Sequence, residues 1–189
     1  MKNPTELSDK ELVVELIGHR AAKKFHTKSL AALLSESGNT TYDLRRVFAA
    51  QEFMQRVLRE ELKRGESIRR PHMVFDYLKI ILAGKEREVF VALYLDNKHR
   101  LIVAEELSRG TIGQATVYPR EAVKCALKHN AAAVIVAHNH PSGVVEPSTN
   151  DMVITRRLKD AFSLVGVTVL DHVIVAGNEC LSFVERGFI

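Results

Sequence analysis

"AAAVIVAHNHPSG", residues 131–143, carries seven apolar residues into two histidines and closes on Pro141, Ser142 and Gly143. A short continuous apolar run bounded by turn residues reads as a strand buried on both faces, the kind that occupies the centre of an α/β sheet. Alternate side chains of a strand share a face, so His138 and His140 project together from α-carbons roughly 6.6 Å apart, while Asn139 points the other way. The Pro-Ser-Gly turn then takes the chain off the sheet. The histidine pair therefore stands at the carboxyl end of a central strand, where open α/β sheets hold their ligands.

Working outward, helices and strands alternate on both sides of this run. "PREAVKCALKHN" (119–130) and "STNDMVITRRLKDAFSLVG" (148–166) have helical periods, and "VTVLDHVIVAG" (167–177) is a further strand. Upstream, "EVFVALYLD" (88–96) and "HRLIVAEELS" (99–108) flank the turn "DNKH" as a hairpin. An initial hairpin followed by such alternation predicts an α/β fold, an αβα sandwich with a mixed sheet.

The first third has a different texture. "SDKELVVELIG" (8–18) opens with Ser8 and carries Glu11 three residues on, a capping box; "SLAALLSES" (29–37) and "TTYDLRRVFAAQEFMQRVLREELKRG" (40–65, closed by Gly65) also read as helices. "RRPHMVFDYLKIILAGKE" (69–86) is one more, with Pro71 near its start and Gly84 at its end. The expected organisation is a helical module over residues 1–66 and an α/β domain over 67–189.

Composition narrows the function classes. With 189 residues, 46% of them apolar, the chain can bury a real core. No apolar run reaches the length of a membrane span, and the acids of "MKNPTELSDKELVVELIG" interrupt any signal-peptide centre, so a cytoplasmic protein without membrane contact is expected. Two cysteines, Cys125 and Cys180, without a CxxC, support neither a disulfide framework nor a cysteine zinc site, and both are expected as free thiols. The net charge is +4. Basic residues cluster between Thr41 and Arg70 (Arg45, Arg46, Arg56, Arg59, Lys63, Arg64, Arg69, Arg70), but Asp43, Glu52, Glu60, Glu61 and Glu66 are interleaved with them. A solvated helix laced with i,i+4 pairs and a weak nucleic-acid face both fit that pattern.

Asp151 lies eleven residues beyond His140, on the first turn of the helix that starts at Ser148. Two imidazoles and one carboxylate make a three-ligand set for zinc and leave a fourth position for water. "Ser148-Thr149-Asn150-Asp151" is also a capping box by pattern, and two histidines can simply cap a strand end. The spacing alone leaves both readings open.

The combination "His138-x-His140", seven residues, "Ser148-x-x-Asp151" resembles the JAMM motif of the JAB/MPN metalloproteases. The flanking "NAAAVIVAHNHPSG", "PSTND" with "TRRL", and "LDHVIV" resemble its bacterial RadC branch, over about residues 70–189. The resemblance implies a cytidine-deaminase-like αβα sandwich and a Zn²⁺ ion held by His138, His140 and Asp151. It also implies an upstream glutamate, off the metal, that works the bound water. Glu88, at the start of "EVFVALYLD", matches that glutamate, with Glu105, Glu106 and Glu86 as competitors. Ser148 is the expected oxyanion donor. The usual residue between the histidines is serine or threonine; here it is Asn139, as in RadC. In the helical half, "LSDKELVVELIG" resembles the start of the domain that precedes the catalytic one in that family. The "GIG"-like phosphate-binding turn is missing, however, and only Gly38 with Asn39 offers a turn nearby.

The function this implies is a zinc-dependent metallopeptidase or isopeptidase acting on a protein or peptide substrate. The alternative is a nucleic-acid-binding protein associated with DNA repair, with a structural or vestigial metal site. Two other classes are excluded by what they lack here. HNH nucleases spread those letters across a longer finger-like motif, and zinc deaminases need a glutamate beside the first ligand and a later "PCxxC". Nothing in the sequence specifies an oligomeric state.

Overall fold

The computed structural model describes residues 7–19, 42–64, 71–82, 84–109 and 117–189. Among these, the helices are α1 (Asp9–Ile17), α2 (Tyr42–Arg64), α3 (Pro71–Leu82), α4 (Pro119–Lys128) and α5 (Thr149–Ser163). The strands are β1 (Val89–Leu95), β2 (Leu101–Arg109), β3 (Ala133–Asn139), β4 (Thr168–Ala176) and β5 (Glu179–Ser182). "SLAALLSES", Gly38, Asn39, Gly65, Arg69 and Arg70 lie outside the described residues.

The sheet runs in the order β2-β1-β3-β4-β5. β3 pairs antiparallel with β1 and parallel with β4, while β2 and β5 are antiparallel edges. The sheet is therefore mixed, as the hairpin-then-alternation pattern predicts. Every residue of β1 and β3 is buried, which is why β1 and the first five residues of β3 run apolar.

Helices cover both faces. On one, Leu62 of α2 and Val74, Tyr77, Leu78 and Leu82 of α3 pack against Val91, Leu93, Ile135, Ala137, Val173 and Val175. On the other, Ala122 and Ala126 of α4 and Leu158 and Phe162 of α5 cover Phe90, Ala92, Tyr94, Val134 and Val136. The alternation within each strand sorts its side chains between the two cores. α1 carries the expected capping box, with the Ser8 amide donating to Glu11 at 2.8 Å, and buries Val13 and Ile17 against Val47 and Phe48 of α2.

The exposed side of α2 shows the i,i+4 pairs Arg56–Glu52 and Arg64–Glu60. Among the described residues no helix is long and apolar enough to cross a membrane.

β5 was not expected from the sequence. Its four residues are too few to display a strand period, and pairing with β4 makes it a strand, Ala176 opposite Glu179 and Val173 opposite Ser182. The available signal was Gly177-Asn178, a two-residue hairpin pair, with Gly177 at φ +58° where a side chain is disfavoured.

Candidate metal centre

Register places the site. Phe90 of β1 is opposite His138 of β3, so the two share a face, and Glu88, two residues before Phe90, falls on that face at the strand's mouth. On the other side of β3, Val136 is opposite His172 of β4, which brings His172 to the same face. His140 leaves the end of β3 with its backbone N–H donating to the Val175 carbonyl at 2.9 Å. The turn then closes from the Gly143 N–H to the His140 carbonyl at 3.0 Å, and Gly143 sits at φ +80°.

The loop returns to the site through the first turn of α5. Ser148 is its N-cap. The Asp151 N–H donates to Ser148 Oγ at 3.2 Å, and the Ser148 N–H and hydroxyl donate to Asp151 Oδ2 at 2.7 and 2.6 Å. The capping box is real, and it is also what aims the carboxylate: Asp151 Oδ1 lies 3.2 Å from His138 Nε2, and Oδ2 lies 3.6 Å from His140 Nε2. The two imidazole Nε2 atoms are 2.9 Å apart. The capping box and a three-ligand set are compatible, since the box aims the carboxylate at the two imidazoles.

The hydrogen-bond partners assign the tautomers. A carbonyl only accepts, so the Thr155 hydroxyl donates to the Asp151 carbonyl, and Thr155 Oγ1 must accept from His172 Nδ1 at 2.6 Å. His172 is fully buried. Burial and the neighbouring His138 hold its pKa well below the usual imidazole value, so it is neutral and its Nε2 is an acceptor. His138 Nδ1 therefore donates to it at 2.9 Å, and Nε2 of a neutral His138 is left as a bare lone pair. His140 Nδ1 donates to the Val144 carbonyl at 2.7 Å, which also turns its Nε2 inward. Ring contacts brace the set: Phe90 stacks on His138 at 5.5 Å between centroids, and Phe183 lies 4.5 Å from His172.

Charge follows from this geometry. The hydrogen bond with Asp151 raises the His140 pKa against the effect of burial, with the Val144 carbonyl and Glu88 adding to it. Burial alone would raise Asp151, but hydrogen bonds from His138 and His140, the charge of His138 and the Ser148 hydroxyl outweigh it and hold the carboxyl far below the ordinary range. A dication on the same three atoms would face two imidazole nitrogens and an ionised carboxylate, and second nitrogens fixed by carbonyl and imidazole acceptors are what metal-ligating histidines require. His138, His140 and Asp151 thus fit a metal ion, with one ligand atom from each within 4.8 Å of the others.

Glu88 is half-buried just before β1, within electrostatic reach of all three. Burial raises its pKa, His138 and His140 oppose the rise, and Asp151 adds to it. Its competitors lie elsewhere. Glu86 and Glu106 are exposed, and Glu105, opposite Ala92, lies near His129 instead.

The sequence model of the RadC-like JAB domain matches residues 68–188. The chain belongs to the RadC family. Its relatives include a UPF0758 protein of Nitrosomonas eutropha, 56% identical over 141 residues, which are 75% of this chain and 63% of that protein. A UPF0758 protein of Nitrosomonas europaea is 48% identical over 98% of this chain and 83% of its own length. One from Pseudoalteromonas translucida is 45% identical over 94% and 81%. Against the first of these the chain spans less than two thirds of the relative's length.

Within this RadC-family site, sequence reasoning missed His172 and Thr155. Both stood in stretches noted for their likeness to the family, "LDHVIV" and "TRRL", without a role. A histidine at the start of the buried part of a strand, between Asp171 and Val173, was the available signal. Asn139 was noted only as a departure from serine or threonine; the structure gives it a task. Its side-chain oxygen accepts the Val89 N–H at 2.8 Å, and its amide donates to the carbonyls of Arg87 at 3.1 Å and Lys85 at 3.3 Å.

Proposed function

We propose that this chain is a zinc-dependent metallopeptidase or isopeptidase that hydrolyses an amide bond in a protein or peptide substrate. The observation that carries the reading is the convergence of two inward Nε2 atoms and an ionised carboxylate beside Glu88, a second carboxyl whose pKa is shifted the opposite way. Two imidazoles and one carboxylate with a free position match zinc among the available ions.

Bound zinc supplies a Lewis acid that brings the pKa of a water towards about 7. Glu88 takes a proton from the attacking water and returns it to the leaving nitrogen as the carbon–nitrogen bond breaks. The raised pKa of Glu88 suits both transfers. Ser148 now donates to Asp151. As an oxyanion donor its hydroxyl would turn from that carboxylate to the substrate oxygen, which the helix N-terminus also favours. Asp151 stays held through the Ser148 N–H while it does so.

The helical segment, residues 1–66, is proposed as a module packed on the α/β domain at 67–189. The ion pairs of α2 limit it to weak, salt-sensitive contact with nucleic acid.

The test is elemental analysis followed by a panel of fluorogenic peptides and isopeptide-linked conjugates. About one zinc lost from each of His138→Ala, His140→Ala and Asp151→Ala, with loss of turnover, supports the reading. No zinc uptake by the parent protein overturns it.

A further inference from the structure

Glu105, Cys125 and His129 form a second group of ligand-type side chains that shares no residue with the first. Cys125 and His129 are four residues apart at the end of α4, one above the other on a single helix face. Glu105 is opposite Ala92 in the β1–β2 register, so it shares the sheet face of Ala92 and Tyr94, the face that α4 covers. One ligand-type atom from each of the three lies within 4.8 Å of the others, and all three residues are partly exposed, so an ion has a route in.

The decisive detail is His129 Nε2. It is buried without a hydrogen-bond partner, and the nearest Glu105 carboxylate oxygen is 3.8 Å away. That is too far for a hydrogen bond. It is close to the separation of roughly 3.3–3.6 Å between two N/O ligands on one tetrahedral zinc, given bonds of about 2.0–2.2 Å. A thiol–imidazole–carboxylate relay would instead need the imidazole hydrogen-bonded to its carboxylate.

Tyr94 braces His129. Its ring stacks on His129 at 6.4 Å between centroids, its hydroxyl donates to the Ala122 carbonyl at 2.9 Å, and Cys125 packs against the same core cluster. The absence of CxxC left Cys125 as a free thiol in the sequence reading, and the thiol is free. A single cysteine is enough when the other two ligands are imidazole and carboxylate.

We propose that Glu105, Cys125 and His129 constitute a second divalent-metal site, suited to zinc and cobalt, with its fourth position open to solvent. Soft thiolate beside imidazole selects these ions over magnesium or calcium.

Cobalt(II) titration of the full chain tests this, because only a sulfur ligand gives the near-ultraviolet thiolate-to-cobalt charge-transfer band, and His138, His140 and Asp151 include none. The parent and the H138A/H140A double variant should both develop the band, saturating at one equivalent in the double variant. Cys125→Ser should abolish it, and zinc bound per chain should fall by one. His129→Ala and Glu105→Gln should each weaken cobalt binding at least about tenfold, which keeps the test decisive if Cys125→Ser does not fold. The absence of the band in the parent with excess cobalt overturns the proposal. So does a band that survives Cys125→Ser, or one undiminished in both His129→Ala and Glu105→Gln. None of these outcomes bears on His138, His140 and Asp151.

Discussion

Asn139 accepts the Val89 backbone N–H at 2.8 Å through its side-chain oxygen, binding the residue between the two histidines to the residue after Glu88. With its amide also on the carbonyls of Arg87 and Lys85, one buried side chain fixes the backbone on both sides of Glu88. Serine or threonine could not span both contacts. Asn139→Ala leaves the Val89 N–H buried and unpaired and is expected to destabilise the fold by about 1–3 kcal/mol in urea denaturation. His138 and His140 remain held by the β3 pairing, so zinc content should persist while turnover falls. Loss of zinc together with turnover would place the role of Asn139 at the metal instead.

Thr155 is the far end of the chain that orients His138. Thr155→Val keeps the volume but removes the acceptor for His172 Nδ1, so His172 no longer has to present a bare Nε2 to His138. A chelator-competition titration should show zinc affinity lowered about 10–100-fold with the fold intact. Unchanged affinity would mean that His138 holds its tautomer without help.

Metal uptake should depend on pH in a definite direction. His140 has a pKa raised above its ordinary 6.5, so near neutrality a proton competes with zinc for Nε2. Zinc affinity should therefore climb as pH rises through that raised value and flatten above it. Asp151, shifted downward from 3.8, is already ionised and adds no further slope there. Calorimetry in buffers of different ionisation enthalpy should detect proton release at pH 6.5 and little well above the His140 pKa.

The metal-free fold should lose stability towards acid. The lowered folded pKa of His172 leaves its contribution whole above 6.5 and diminishing below it, and Asp151 does the same below 3.8. The raised His140 runs the other way, whole below 6.5 and lost as pH rises through its folded value. Denaturation midpoints across pH, measured with chelator, should show the acid decline. A midpoint that rises steadily from pH 6.5 to 4 would contradict a neutral buried His172.

What could be read in the sequence was what local spacing encodes. The histidines two apart on a strand, the Ser148–Asp151 turn and Glu88 at a strand start are each set by neighbours within a few residues, while the common face of Glu88 and His138 needs the β1–β3 register, with Phe90 opposite His138. His172 and Thr155 were not legible because their links join residues 34 and 17 apart and depend on β3 pairing parallel with β4 under α5. Glu105 and Glu106 illustrate the same limit. Adjacent residues face opposite sides of a strand, so at most one could share the face of the centre; Glu105, opposite Ala92, does, and only its place beside His129 shows that it belongs elsewhere on that face.

Glu88 is distinguished from the metal ligands by what its loss should leave behind. It is half-buried, shifted upward by burial, and coupled to His138, Asp151 and His140, yet it lies outside the three atoms that converge. A base must reach the water without holding the ion, so Glu88→Gln should retain the fold and the zinc content of the parent. Removing the proton acceptor should cost roughly 10²–10⁴ in kcat on whichever substrate the peptide and isopeptide panel yields. Glu86→Gln, an exposed neighbour on the same segment, controls for a change of charge near the site and should turn over like the parent. Because burial sets the direction of the Glu88 shift, the acidic limb of the parent's kcat/KM profile should lie above the ordinary carboxylate value of 4.5. Zinc loss in Glu88→Gln would make Glu88 a ligand. Parent-like turnover with zinc retained would move the proton transfer to another group and leave the His138, His140 and Asp151 centre standing.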